Sequence, residues 1–104
     1  MVPNVTEVTL LTAVTTGSGI AHCEYSQHIT VEIEGSAGVS AGAIQIEVSD
    51  VSTYAGTWAP IGTPITVVAS TKIVAQFAGP HKFVRTRIST TVVDGTVTVR
   101  LRAN

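Results

Sequence analysis

The chain has 104 residues, of which 44% are hydrophobic and only 12% are charged, and its net charge at pH 7 is −1. This length suits one domain with its own core, and the many apolar and few charged residues exclude an intrinsically disordered chain. A net charge near zero also gives no basic footprint for nucleic acid, so we expect no nucleic-acid partner.

The charges are divided unevenly along the chain. Residues 1–50 contain six acidic residues and no Lys or Arg, whereas residues 51–104 contain all six basic residues and one acid, Asp94. Opposite charges on neighbouring strands attract each other. We therefore expect strands from the two halves to pair these charges, either within one fold or between neighbouring copies.

In the first half, apolar and polar residues alternate with a period of two, which predicts β-strands, and no segment has the 3.6-residue period of a helix. Residues 7–15 form the first predicted strand, and 20–25 are a short strand or an irregular link. Residues 28–34 and 43–49 alternate most clearly, with Ile and Val on one side and Thr, Gln and Glu on the other.

In the second half, strands are predicted at 65–68, 71–77, 82–89, 91–93 and 96–102. Pro64 lacks a backbone N–H and directly precedes one of them, which favours an edge strand. Asp94-Gly95 lies between the last two and is the residue pair typical of a two-residue hairpin turn.

About seven or eight strands at a spacing near ten residues are typical of an all-β fold. We predict an antiparallel β-sandwich of the immunoglobulin-like or jelly-roll-like kind. Residues 7–104 form its single domain, and residues 1–6 precede it as an N-terminal arm.

The sequence gives no sign of secretion or membrane insertion. The N-terminal segment lacks the basic and apolar regions of a signal peptide, and no apolar run approaches the ~20 residues that span a bilayer. The single cysteine, Cys23, excludes an intrachain disulfide. We expect no membrane partner, and a protein that is made in a cytoplasm or assembled there into a particle that leaves.

No combination of residues predicts catalysis or a cofactor. His22 and Cys23 are adjacent, so on an extended segment they point to opposite faces and do not converge on one metal ion. No serine lies in a G-x-S-x-G turn. We predict no enzyme activity, no metal and no cofactor, and we expect Cys23 to behave as a small buried hydrophobic residue.

Interaction residues are predicted in two places. The long link 49–62 contains Tyr54 and the only tryptophan, Trp58, which either cover the core or form an exposed anchor for a sugar or protein partner. The scarcity of aromatic residues favours Trp58 as mainly a core residue. On the predicted strand 82–89, one face carries aromatic and basic side chains, for which pairing with the acidic half is the favoured explanation. The candidate partner-interface residues are Tyr54, Trp58, Phe83, Arg85 and Arg87.

Four segments resemble parts of a known class of structural protein. They are Ile46-Glu47-Val48-Ser49-Asp50, Trp58-Ala59-Pro60-Ile61-Gly62, Phe83-Val84-Arg85-Thr86-Arg87-Ile88 and Asp94-Gly95-Thr96-Val97-Thr98-Val99. Over roughly residues 28–102 the chain resembles tailed-phage virion structural proteins of the capsid decoration (cement) or head-fibre β-sandwich type. The resemblance implies a β-sandwich without catalysis, present in symmetric copies such as trimers and bound to the major capsid protein.

The leading functional prediction is therefore a capsid decoration protein that binds the outside of a phage head and stabilises it. It would be located on the capsid surface of the virion after assembly in the host cytoplasm. Two alternatives stay open. One is a carbohydrate- or receptor-binding module that uses Tyr54 and Trp58, and the other is a tail or baseplate subunit of the same virion class.

Overall fold

The computed structural model describes residues 6–49 and 58–103, which form β-strands and no helix. The strands are β1 (Thr6–Val14), β2 (Ser18–Gly35), β3 (Ala41–Ser49), β4 (Ala59–Thr66), β5 (Lys72–Val93) and β6 (Val97–Ala103). They form one sheet in the order β1-β6-β2-β5-β3-β4, in which every pair is antiparallel. The predicted all-β antiparallel fold is confirmed. Residues 1–5 of the predicted arm lie outside the described residues, and Thr6 begins β1.

Two long strands connect the halves of the sheet. β2 has 18 residues and β5 has 22, and they pair with each other along most of their length. The C-terminal part of β2 also pairs with β6, whereas the C-terminal part of β5 pairs with β3. The register between β2 and β5 shifts between His22 and His28, and an irregularity of this kind allows a strand to bend.

The predicted strands outnumber the observed ones because each long strand was predicted as separate pieces. The predicted strands 71–77 and 82–89 leave Ala78-Gly79-Pro80 between them, yet β5 runs through this segment. Pro80 has no backbone N–H to donate, but a strand tolerates the loss of one hydrogen bond where its pairing with the neighbouring strand is irregular. Ala78 pairs with His28 at the end of such a register shift.

Both halves of the sheet contribute to one apolar core. Its fully buried apolar side chains include Cys23, Ile29, Val31, Ile33, Ile44, Val84, Val97, Val99, Leu101 and Ala103. The molecule is 20 Å across its thinnest dimension, which accommodates two layers about 10 Å apart with their outward side chains. One continuous sheet thus packs on one core, which is consistent with the predicted sandwich, and the inward positions predicted for 28–34 are confirmed.

The connection between β5 and β6 is not the predicted hairpin. Val93 at the end of β5 pairs with β3, and Val97 at the start of β6 pairs with β1 and β2, so β5 and β6 are not neighbours. Asp94 has the left-handed conformation expected of an Asp-Gly turn, with φ 64°, and its Oδ2 accepts a hydrogen bond of 2.7 Å from Ser40 Oγ. The turn is present, but it connects two strands that are not neighbours in the sheet.

β1 and β4 are the edge strands. β4 contains Pro60 and Pro64, which cannot donate a backbone hydrogen bond and therefore discourage the addition of a further strand. The predicted edge position of Pro64 is confirmed, although the strand begins at Ala59, before this proline.

Thr86 is a polar residue inside the core. It pairs with Gly19 of β2 and Ile46 of β3, is fully buried, and its Oγ1 has no hydrogen-bond partner in the described part of the chain. A buried hydroxyl without a hydrogen-bond partner has lost its hydrogen bonds with water, and no hydrogen bond within the protein replaces them. Valine has nearly the same shape and carries no such group.

We expect Thr86→Val to raise the free energy of unfolding by about 1–2 kcal/mol, measured by urea denaturation. Thr98→Val is the matched control, because Thr98 Oγ1 accepts a hydrogen bond of 3.2 Å from the Ala13 N–H. The control should lose about 1 kcal/mol. A loss of stability in Thr86→Val would contradict this interpretation of its hydroxyl.

Candidate interaction face

The outer face of β3 and β5 brings together residues that are distant in the sequence. Strand alternation directs Gln45 and Glu47 of β3 away from the core, and the register places them opposite Arg87 and Arg85 of β5. Trp58, directly before β4, places its ring over Arg85, with 4.6 Å between the ring centre and the guanidinium Cζ. We refer to these five residues as the arginine face.

Glu47 is the centre of the arginine face. Its Oε1 accepts hydrogen bonds from Arg85 Nε at 2.8 Å and from Arg87 Nε at 3.3 Å, and Arg85 Nη2 lies 2.6 Å from the same oxygen. Hydrogen bonds between ionised groups are shorter and stronger than neutral ones. The Glu47 side chain is only 10% exposed, so these contacts replace the water that a carboxylate would otherwise bind.

Gln45 attaches edge strand β4 to this face. Its Nε2 lies within hydrogen-bonding distance of the carbonyl oxygens of Ile61 and Gly62, at 3.3 Å each. These contacts occur where the register between β3 and β4 shifts, so a side chain holds the strands together where the backbone ladder is irregular. The position of β4 in turn fixes the place from which Trp58 reaches Arg85.

The structure corrects the prediction that Trp58 is mainly a core residue. Trp58 is half-buried, lies outside the apolar cluster and packs on the guanidinium of Arg85, because a tryptophan ring attracts a cation over its face. Phe83, also predicted at a partner interface, is buried, and its ring meets that of His22 edge-on at 5.0 Å between centres. Phe83 precedes Arg85 by two residues, so it lies on the same side of β5 as the two arginines but is covered there. Tyr54 lies outside the described residues.

The other arginines are paired one to one on the outer face of β1, β6 and β2. Arg102 Nε donates to Glu7 Oε1 at 2.9 Å, and Arg100 Nη1 donates to Glu34 Oε1 at 3.5 Å. Glu7, Arg100 and Arg102 line a depression of about 280 Å³ on this face. All four arginines thus contact acids of the first half, which confirms pairing of the two halves within one fold.

The residues considered for metal or thiol chemistry do not converge. Cys23 is buried and His22 is exposed, as expected for neighbours on one strand. Within residues 6–49 and 58–103, no group of three or more His, Cys, Asp or Glu residues is arranged to hold a metal ion. The same part of the chain has no helix with the length and apolar character needed to cross a bilayer.

Comparison with known proteins identifies relatives by fold alone. No family model matches the chain, and neither does any curated protein. The crystal structure of the SPBc2 prophage-derived protein YomS is similar over 99% of this chain and 95% of that chain, with a TM-score of 0.68 and 16% identity. A chain from Bacillus endospore appendages, described as a novel family of disulfide-linked pili, is similar over 97% of this chain and 87% of that chain, with a TM-score of 0.50 and 10% identity. At these identities the likeness establishes a shared β fold.

Proposed function

We propose that the chain is a structural subunit of a phage virion, and specifically a capsid decoration protein that binds the outside of an assembled head. The observation that carries this proposal is the similarity to the prophage-derived protein YomS. It extends over 99% of this chain and 95% of the other, so the two share a whole domain of nearly equal length and not a common fragment. The likeness to a chain from pili is consistent with the use of such a fold in repetitive assemblies.

The distribution of charge suits close packing of many copies. Each of the four arginines contacts an acid of the same chain, and the net charge is only −1. Long-range repulsion between copies is therefore weak. A copy that bridges neighbouring capsid subunits binds only the assembled state, so it stabilises that state by mass action and by avidity.

The test uses particles produced by the strain that encodes the chain. Purified chain is mixed separately with mature heads, with tails and with unassembled capsid protein, and binding is measured by sedimentation. We expect saturable binding to heads at a fixed number of copies per head, and a higher temperature of head disruption. Binding to tails alone would identify a tail or baseplate subunit, and binding to neither would overturn the proposal.

A further inference from the structure

The arginine face has one guanidinium more than its carboxylate can neutralise. On β6 each arginine contacts its own glutamate, whereas Arg85 and Arg87 share one oxygen of Glu47. Two positive charges and one negative charge in mutual contact leave an excess of one positive charge. A protein surface satisfies such an excess with water or with an anion from a partner.

Arg85 and Arg87 differ in their exposure and in the number of N–H donors that remain for a partner. Arg85 turns two of its nitrogens towards Glu47 and one planar face towards the ring of Trp58, and its side chain is 22% exposed. Arg87 uses only Nε for Glu47, and its side chain is 43% exposed. In the described part of the chain the two terminal nitrogens of Arg87 have no protein partner, so four N–H donors remain.

Glu47 and Trp58 pre-organise Arg87 for binding. The bond from Nε to Glu47 restricts the rotation of the guanidinium, so less conformational entropy is lost when its outer edge meets a ligand. The half-buried Trp58 ring on the neighbouring Arg85 excludes water from one side of the pair, and charge–charge attraction is stronger where water is excluded. Tryptophan and arginine together are also the residue types enriched where binding energy concentrates.

We propose that the outer edge of Arg87, beside Arg85 and Trp58, is a binding site for a carboxylate presented by an Asp or Glu of a partner protein. A carboxylate matches the two terminal nitrogens of a guanidinium in a bidentate arrangement. Its single negative charge balances the excess of one positive charge. A doubly charged phosphate would leave a surplus negative charge beside Glu47. The site does not depend on which particle the chain belongs to.

The test uses the full chain labelled with ¹⁵N and follows the side-chain N–H resonances of Arg87 and Trp58 by NMR. Trp58 is the only tryptophan, so its indole resonance is identified without ambiguity. Sodium acetate is titrated as the probe at constant ionic strength maintained with sodium chloride, and sodium phosphate is titrated in a second series. Arg87→Gln removes the proposed ligand group, and Arg100→Gln is the matched control at a paired arginine.

We expect saturable shifts of both resonances with acetate, retained in Arg100→Gln. In Arg87→Gln the Trp58 indole resonance is the readout, and it should report acetate binding weakened about ten-fold or more. Arg87→Lys keeps the charge but loses the planar fork, so it should also bind acetate more weakly than the native chain. Shifts that are linear with acetate, or that survive Arg87→Gln, would overturn the site. Tighter binding of phosphate than of acetate would overturn the assignment to a carboxylate.

Discussion

Replacing Glu47 by alanine is expected to lower the free energy of unfolding by about 2–3 kcal/mol. Removing one partner from a buried ion pair costs about 3–5 kcal/mol, and we reduce this figure because Arg85 and Arg87 are 22% and 43% exposed and retain part of their hydration. The substitution leaves two guanidinium groups beside each other without the carboxylate that separates them. Urea denaturation measures the loss. The fluorescence of Trp58 should change as well, because Arg85 beneath its ring is released.

Glu34→Ala is the matched control for this prediction. Glu34 contacts Arg100 at 3.5 Å, but the side chains are 45% and 47% exposed, so the loss should stay below about 1 kcal/mol. Glu47→Gln keeps the size of the side chain and one accepting oxygen, and should fall between the two alanine variants. Equal losses in Glu47→Ala and Glu34→Ala would contradict the central role given to Glu47.

The sequence was sufficient to assign most strands and their inward faces. Side chains on a strand alternate between two sides, so the apolar positions of the segment around Val31 could only face one way. The same alternation placed Arg85 and Arg87 together on the opposite side from Val84. These assignments depend only on the pattern of residues two positions apart, and such a local pattern can be recognised in a single sequence.

Continuity of strands and choice of neighbours could not be predicted in this way. Ala78-Gly79-Pro80 has the composition of a turn, yet the ladder with β2 is formed on both sides of it and keeps β5 extended. Asp94-Gly95 does form a turn, but its chemistry fixes only a few backbone angles. Which strand lies beside Val97 is decided by how the apolar faces of β6, β1 and β2 pack, and that information is spread over the whole chain.

For the interaction face, the sequence indicated the residue types but not their partners. Arg85 and Arg87 were candidates because they share a strand face with an aromatic residue, and acids of the first half were expected to meet bases of the second. That Glu47 is the acid shared by these two arginines follows from the register between β3 and β5, which alternation alone does not determine. The half-buried position of Trp58 follows in the same way, because it depends on where β4 attaches to β3.

The second large effect is expected in the core. Ile33 pairs with Ile73 of β5 and Val99 of β6 and is fully buried. Ile33→Ala removes packed methyl and methylene groups and leaves a cavity between these strands, which should cost about 2–5 kcal/mol. Domains of this kind are stable by only about 5–15 kcal/mol, so this is a large fraction of the total. Thermal unfolding should show a midpoint lowered by about 10 °C or more.

Val74→Ala is the matched control for Ile33→Ala. Val74 follows Ile73 directly on β5, but its side chain points to the outer face and the residue is 53% exposed. The same unfolding measurement should therefore change by no more than about 0.5 kcal/mol. If the two variants lost similar stability, the face assigned to the core would be wrong. The outward position of the arginine face depends on the same alternation, so the candidate site would then fail with it.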